Sequence, residues 1–234
     1  MSRIGREAVT RGDRAIYWLS KRWLALFNVV LLLYVGVPFL APVLMHAGLP
    51  DAANVIYRVY YPLCHQYAFR SWFLFGEKPA YTRAEIDQAL GMDTLTSAGQ
   101  WAAKNYVGDA RLGYKVAFCQ RDVAIYGGLV LGALVFSLAR ARARPVPVWL
   151  WLLIGVVPMG LDGVSQLLTQ FPGFAGWINP LWQAGNAFWR ESTPFLRTLT
   201  GGLFGFMLVW LTYPYIEDSM LDTRRQLQRR FGWK

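Results

Sequence analysis

Residues 23–45 read WLALFNVVLLLYVGVPFLAPVLM and contain no charged side chain. Because about 20 apolar residues cross the hydrocarbon core of a bilayer as a helix, this run predicts a transmembrane helix. Further apolar runs follow at residues 123–139, 148–168 and 196–216. The 234 residues are 55% hydrophobic and only 16% charged. Sequence alone therefore predicts an all-α polytopic membrane protein with about four transmembrane helices and a small extracytoplasmic excursion.

Lysine and arginine residues lie mainly on one side of this predicted bundle. Of the 24, six precede the first span, three lie between the second and third, and five follow the fourth. By the positive-inside rule that side is the cytoplasm. We therefore expect a membrane domain at 23–216 in the cell (inner) membrane, between a basic cytoplasmic N-terminal segment at 1–22 and a basic cytoplasmic tail at 217–234. The net charge of +10 indicates attraction to the lipid bilayer, and no nucleic-acid partner is expected.

The excursion, at residues 76–113, differs in composition from the rest of the membrane domain. Charged residues are frequent there, among small and aromatic ones. Thr82-Arg83-Ala84-Glu85 and Ser97-Ala98-Gly99-Gln100 both fit the capping box that begins many helices. One or two short helices are expected in this region, and a mobile loop is an equal alternative.

The chain has two cysteines, Cys64 and Cys119, and both fall on the predicted extracytoplasmic side. With His65 and Asp122 they supply sulfur, nitrogen and oxygen ligands that suit tetrahedral zinc or, less well, copper or iron. On a regular backbone, the side chains of the adjacent residues Cys64 and His65 point in different directions. Both can therefore bind one ion only if the chain bends between them, and no motif for covalent haem attachment is present.

A disulfide between Cys64 and Cys119 is an equal alternative to the metal site. Two cysteines on an oxidising face pair readily if their geometry allows it. The bond would close a loop with 54 intervening residues and contribute about 2–4 kcal/mol.

Ionisable residues also fall inside the predicted spans, where charge is costly unless it is paired. We expect Asp162 in the third span to pair with Arg197 or Arg190 at the fourth. Glu191 is expected to form an ion pair or to cap a helix. The arginines of this predicted polar network could hold an anionic group by forked hydrogen bonds. Its members are Arg70, Arg121, Asp162, Gln166, Arg190, Arg197 and Thr200.

The ordered motifs between about Tyr60 and Gly205 resemble an uncharacterised family of small multi-pass prokaryotic membrane proteins, a domain of unknown function. The motifs are Cys64-His65-Gln66 with Arg70-Ser71, Cys119-x-Arg121-Asp122 with Ile125-Tyr126-x-Gly128, Pro158-x-x-x-Asp162-Gly163-x-x-Gln166, and Arg197-x-x-Thr200-Gly201. Asp122 stands where the family usually has a second cysteine. That replacement argues against a dithiol redox cycle or a four-thiolate site.

Two functional classes remain open from the sequence. One is an accessory subunit of a larger membrane complex that binds other subunits. The alternative is a membrane-embedded enzyme or redox protein acting on a lipid, quinone or other membrane substrate. The sequence contains no hydrolase elbow, phosphate-binding glycine loop or metalloprotease helix, so no catalytic residues are assigned.

Overall fold

The computed structural model describes residues 9–140, 143–168 and 191–233. In chain order its elements are α1 (Arg11–His46), α2 (Pro50–Tyr60), a 3-10 turn (Ala68–Arg70), β1 (Ser71–Leu74), α3 (Arg83–Leu90), α4 (Ser97–Asn105), β2 (Gly108–Asp109), β3 (Gly113–Cys119), α5 (Gln120–Ala139), α6 (Val148–Leu168) and α7 (Pro194–Phe231). Helices α1, α5, α6 and α7 are each long and apolar enough to cross a membrane. The predicted class, a mainly helical multi-pass protein with four spans, is confirmed.

Helix α1 is longer than a membrane crossing requires. Its 36 residues make a helix of about 54 Å, whereas the hydrocarbon core is about 30 Å thick. Thr10 caps its start, because the hydroxyl accepts a hydrogen bond from the Asp13 backbone N–H at 3.1 Å. The helix runs through Pro38 and Pro42 to His46.

Helices α5 and α7 pack backbone to backbone along one line of glycines. A Cβ atom at Gly205 would clash with the Ile125 carbonyl, and one at Gly128 would clash with the Gly202 carbonyl. Small residues at such contacts let membrane helices approach closely. The approach brings the first turn of α5 against the first turns of α7, where the polar residues of both helices lie.

A three-stranded antiparallel sheet of order β1-β3-β2 lies at the end of the bundle where α5 and α7 begin, which we call the sheet end. The sequence analysis predicted none of its strands. Four successive residues of β3, Lys115 to Phe118, are buried, so the strand lacks the alternation that marks a half-buried strand. Strand β3 leads directly into α5, and Ser71 pairs with Cys119. Cys119 is therefore both the last strand residue and the N-cap of α5.

Residues 76–113 contain both expected short helices. The capping box at Thr82 is confirmed, since its hydroxyl accepts from the Glu85 N–H and the Glu85 carboxylate accepts from the Thr82 N–H. The second expected cap is shifted by one residue, because Thr96, not Ser97, caps α4. A buried apolar cluster that includes Phe73, Ile86 and Ala103 packs these helices on the sheet.

Candidate functional site

A cavity of about 340 Å³ lies at the sheet end, between α6 and the helices of residues 76–113. Among the described residues, its charged lining consists of the guanidinium groups of Arg70, Arg83 and Arg121. No carboxylate of the described chain lines it. We call this space the arginine cavity; its other lining residues are His65, Tyr67, Phe69, Gln100, Gly163, Gln166 and Leu167.

Glu191 lies behind the cavity wall and binds several of these side chains at once. Its carboxylate accepts two hydrogen bonds from Arg70, at 2.7 and 3.0 Å, and one from Arg83 at 2.9 Å. It also accepts from Gln166 at 3.0 Å and from Arg197. Burial raises the pKa of Glu191, but the hydrogen bonds and charges of Arg70 and its neighbours outweigh burial and hold the pKa below its ordinary value. Glu191 is thus an ionised centre for three arginines, which confirms the ion pair expected for it.

Asp162 on α6 forms an ion pair with Arg121, which was not among its predicted partners. Its Oδ2 lies 2.5 Å from Arg121 Nη2 and accepts a hydrogen bond from the Ser192 hydroxyl at 2.7 Å. Arg197, the predicted partner, instead contacts Glu191 and donates to Gln120 Oε1 at 3.0 Å. The other predicted partner, Arg190, lies outside the described residues.

The structure changes the membership of the predicted polar network. Thr200 does not bond to it, because its hydroxyl donates to the Leu196 carbonyl of its own helix at 2.7 Å. Arg83 belongs to the network but was missed, since it is one of several charges in residues 76–113. The central position of Glu191 was missed too. One sequence signal marks it: Glu191 is the only acidic residue between Asp162 and Glu217.

Aromatic rings hold two of the cavity guanidinium groups in place. The Arg83 guanidinium lies 4.2 Å from the centre of the Phe69 ring, and that of Arg70 lies 5.3 Å from the same ring. Arg121 has a buried Nε with no hydrogen-bond partner among the described residues. Such fixed donors match the oxygens of a phosphate or carboxylate group.

The described charges around the cavity do not balance. Four guanidinium groups, those of Arg70, Arg83, Arg121 and Arg197, face two carboxylates, those of Glu191 and Asp162. The positive excess is partly shielded from water, where the attraction of an anion is stronger than at an open surface. The cavity is therefore chemically suited to an anion.

A second cluster lies at the junction of β3 and α5. The side-chain ligand atoms of Cys64, Cys119 and Asp122 all lie within 4.8 Å of one another. Cys119 Sγ is 3.1 Å from Asp122 Oδ2, and both thiols are free in this structure. Cys64 Sγ accepts hydrogen bonds from the backbone N–H of Cys119 at 3.2 Å and of Gln66 at 3.5 Å. The Cys119 side chain, through its hydrogen bond with the Cys64 thiol, raises the pKa of that thiol, and burial and the Asp122 charge raise it further.

His65 does not lie with the other predicted metal ligands. It is exposed, stacks on Tyr67 at 5.8 Å and lines the arginine cavity. Gln66 has a φ of 52°, in the left-handed region that few non-glycine residues adopt. The chain does bend at this motif, but His65 lines the arginine cavity whereas the Cys64 sulfur lies beside Cys119.

Buried hydrogen bonds hold the bend in place. Lys115 on β3 donates to the carbonyls of Gln66 at 2.7 Å and Lys104 at 2.5 Å. Gln66 Nε2 donates to the Tyr57 carbonyl at 3.1 Å, and the Tyr57 hydroxyl donates to the Lys115 carbonyl at 2.6 Å. Burial lowers the pKa of Lys115 to about 7. The segment that carries Cys64 is thereby tied to the strand that carries Cys119.

Fold and site together define a multi-pass membrane protein with a polar, cysteine-containing cluster at one end of its bundle. Residues 111–211 match the family described as "Predicted membrane protein (DUF2085)". The matched residues include Cys119, Asp122, Asp162 and Arg197, and Cys64 lies before them. The match supports the resemblance to an uncharacterised membrane-protein family that the motifs indicate.

A relative in Methanocaldococcus jannaschii, an uncharacterized protein, is 24% identical over 210 residues, which cover 86% of this chain and 97% of the relative. The similarity to this relative extends beyond the residues that match the family. A search of solved structures gives no significant match.

Proposed function

We propose that this protein resides in the cell (inner) membrane and binds an anionic group of a membrane lipid in the arginine cavity. Both termini face the cytoplasm in this proposal, and the sheet end, with the cavity, is extracytoplasmic. The basic residues before α1 and in its N-terminal part, between α5 and α6 and in the last part of α7 support this orientation. Fusions at the C-terminus test it: a fluorescent protein should fluoresce there and alkaline phosphatase should be inactive, and the reverse result would refute the orientation.

The observation that carries the proposal is the lining of the cavity by three guanidinium groups and no described carboxylate. A volume of about 340 Å³ falls within the range of small-molecule sites. Arg70 and Arg83 are held by Glu191 and by aromatic faces, so little side-chain entropy remains to be lost when a ligand binds.

The position of the cavity favours a lipid over a free anion. Gly163, Gln166 and Leu167 of the membrane helix α6 form part of its wall. Along the same helix, Leu161, Val164 and Leu167 are exposed on the surface of the chain, where lipid would cover them. A lipid could therefore place its phosphate among the arginines and its acyl chains along α6.

Lipid binding by matched variants tests this function. Thermal unfolding of the purified protein is followed with added phosphatidylglycerol, phosphatidylcholine or inorganic phosphate. Arg121→Lys keeps the positive charge beside Asp162 but loses the forked donor, so we expect at least fivefold weaker binding of phosphatidylglycerol. Arg140→Lys, which changes the arginine paired with Glu217 elsewhere in the bundle, should bind like the wild type.

The outcomes separate the possible ligands. Stabilisation by phosphatidylglycerol alone supports the lipid site. Stabilisation by inorganic phosphate alone would indicate that the site binds a free anion instead of a lipid. Stabilisation by phosphatidylcholine equal to that by phosphatidylglycerol would refute the site. Equal binding of phosphatidylglycerol by Arg121→Lys and Arg140→Lys would refute it too.

A role as an accessory subunit is a second candidate, supported by a separate surface. Met92, Leu95 and Trp101, in or beside α3 and α4, are exposed apolar side chains, and Trp101 is 67% exposed. Large exposed apolar groups often mark contacts with other proteins. If other membrane-protein subunits bind there, Trp101→Glu should abolish co-purification of a defined complex while leaving phosphatidylglycerol binding intact. Isolation of the wild type without any partner would contradict this role.

An enzyme or redox protein acting on a lipid, quinone or other membrane substrate remains the alternative. Lipid turnover by the wild type that is lost in Arg121→Lys would favour it. No nucleic-acid partner is proposed.

A further inference from the structure

We propose that Cys64, Cys119 and Asp122 bind one thiophilic divalent cation, for which zinc is the best fit, with the fourth coordination position open. This site is separate from the anion-binding function proposed for the arginine cavity. His65, which the sequence placed among the ligands, has no part in it.

The separation of the ligand atoms suits a tetrahedral ion. Zinc lies about 2.3 Å from thiolate sulfur and about 2.0–2.2 Å from carboxylate oxygen, which places these tetrahedral ligand atoms about 3.5–3.8 Å apart. The atoms of Cys64, Cys119 and Asp122 lie within 4.8 Å of one another, and one pair is at 3.1 Å. Side-chain adjustments of about 1 Å would complete the geometry.

Backbone donors contact both sulfurs and would stabilise the thiolates that form when a metal displaces the thiol protons. Cys64 Sγ accepts two backbone N–H groups, from Gln66 and Cys119. Cys119 Sγ accepts the Asp122 N–H at 3.4 Å, at the N-terminus of α5. The positive end of the helix dipole there stabilises negative charge on both Cys119 and Asp122. Three negative ligands so close together are mutually repulsive unless a cation lies between them.

Regular elements and a locked bend position all three ligands. Cys119 and Asp122 are fixed by the passage from β3 into α5, and the Cys64 segment is tied to β3 through Gln66 and Lys115. Apolar side chains, including Val123 and Tyr126, pack against the buried core that contains Cys64. Cys119 and Asp122 remain partly accessible, so water or a substrate can reach the fourth position, as in zinc sites that are not purely structural.

Metal analysis of purified protein, combined with a thiol count, tests the site. Wild type, Cys64→Ser, Cys119→Ser, Asp122→Asn and His65→Gln are loaded with zinc, dialysed and measured by elemental analysis. We expect one zinc per chain in the wild type and in His65→Gln, loss in both cysteine variants, and at least tenfold weaker binding in Asp122→Asn.

Cobalt substitution gives a readout that does not depend on loss of folding. Tetrahedral Co²⁺ with two thiolates should show sulfur-to-metal charge-transfer bands. The Arg121→Lys variant should show the same bands, because Arg121 is not a ligand. The Asp122→Asn variant should keep these bands and alter the d–d bands, because only the oxygen ligand changes.

Several outcomes would overturn the inference. One is a wild type that binds no metal and has two free thiols. Another is a wild type with no free thiol before reduction and two after it, which would establish the disulfide instead. Loss of zinc in His65→Gln, equal to that in the cysteine variants, would refute this ligand set.

Discussion

Two glutamates, Glu191 and Glu217, form ion pairs with different numbers of arginines. Glu217 on α7 accepts one hydrogen bond from Trp23 at 2.8 Å and one from Arg140 at 2.6 Å. One described arginine matches one carboxylate there. Glu191, at the sheet end, contacts three described arginines, and two of them also line a cavity.

The difference in charge balance indicates different roles for the two clusters. A balanced pair such as Arg140 and Glu217 ties helices together and needs no further ligand. A cluster with excess positive charge carries a cost in its own repulsion, which an anion in the cavity would relieve. Comparison of the two carboxylates therefore separates structural ion pairing from ligand binding.

The largest effect is expected from Glu191→Gln. Loss of this charge leaves three buried or half-buried guanidinium groups without their shared carboxylate, which should lower the free energy of unfolding by about 3–5 kcal/mol. Thermal unfolding in detergent measures the change. Glu85→Gln is the control, because its ion pair with Lys78 is exposed to water and should contribute little to stability. Equal effects of the two variants would contradict the central role of Glu191.

A second prediction concerns the pH dependence of stability. Lys115 is buried and has no carboxylate partner among the described residues. The folded-state pKa of Lys115 is lowered to about 7, below its ordinary value of 10.5. Between these values the unfolded chain binds the proton and the folded chain does not. Stability should therefore rise as the pH increases above about 7, by at most about 1.4 kcal/mol per pH unit. Lys115→Met should remove this rise, and a rise that persists in the variant would assign it to another group.

A smaller effect is expected from Glu217→Gln. The amide oxygen can still accept from Trp23, and Arg140 is near enough to water to be solvated, so we expect a loss of about 1–2 kcal/mol. Binding of phosphatidylglycerol should be unchanged. Weaker binding of phosphatidylglycerol by Glu217→Gln would contradict a purely structural role for this ion pair.

The smallest effect is expected from Thr200→Val. The hydroxyl bonds only within α7 in the described structure, so stability should change by about 0.5 kcal/mol or less. Unfolding of this variant beside the wild type checks that Thr200 lies outside the polar network.

Local features of the chain were predictable because they depend on neighbouring residues. The four apolar runs determine four helices, since a bilayer accepts few other structures. Thr82 and Glu85 cap α3 across three residues, and Cys119 meets Asp122 across the same spacing. The sequence thereby predicted the number of spans, a helix start and part of the cysteine cluster.

Tertiary structure decided which distant side chains meet. Arg70 and Glu191 are 121 residues apart, and Cys64 and Cys119 are 55 apart. Asp162 pairs with Arg121 because α5 packs closely on α7 and presents its first turn to α6. His65 lines the arginine cavity, whereas the sulfur of the neighbouring Cys64 lies against Cys119 at the end of β3. Hydrophobicity and helix capping act over a few residues, whereas these contacts depend on how whole helices pack, which no short stretch of sequence encodes.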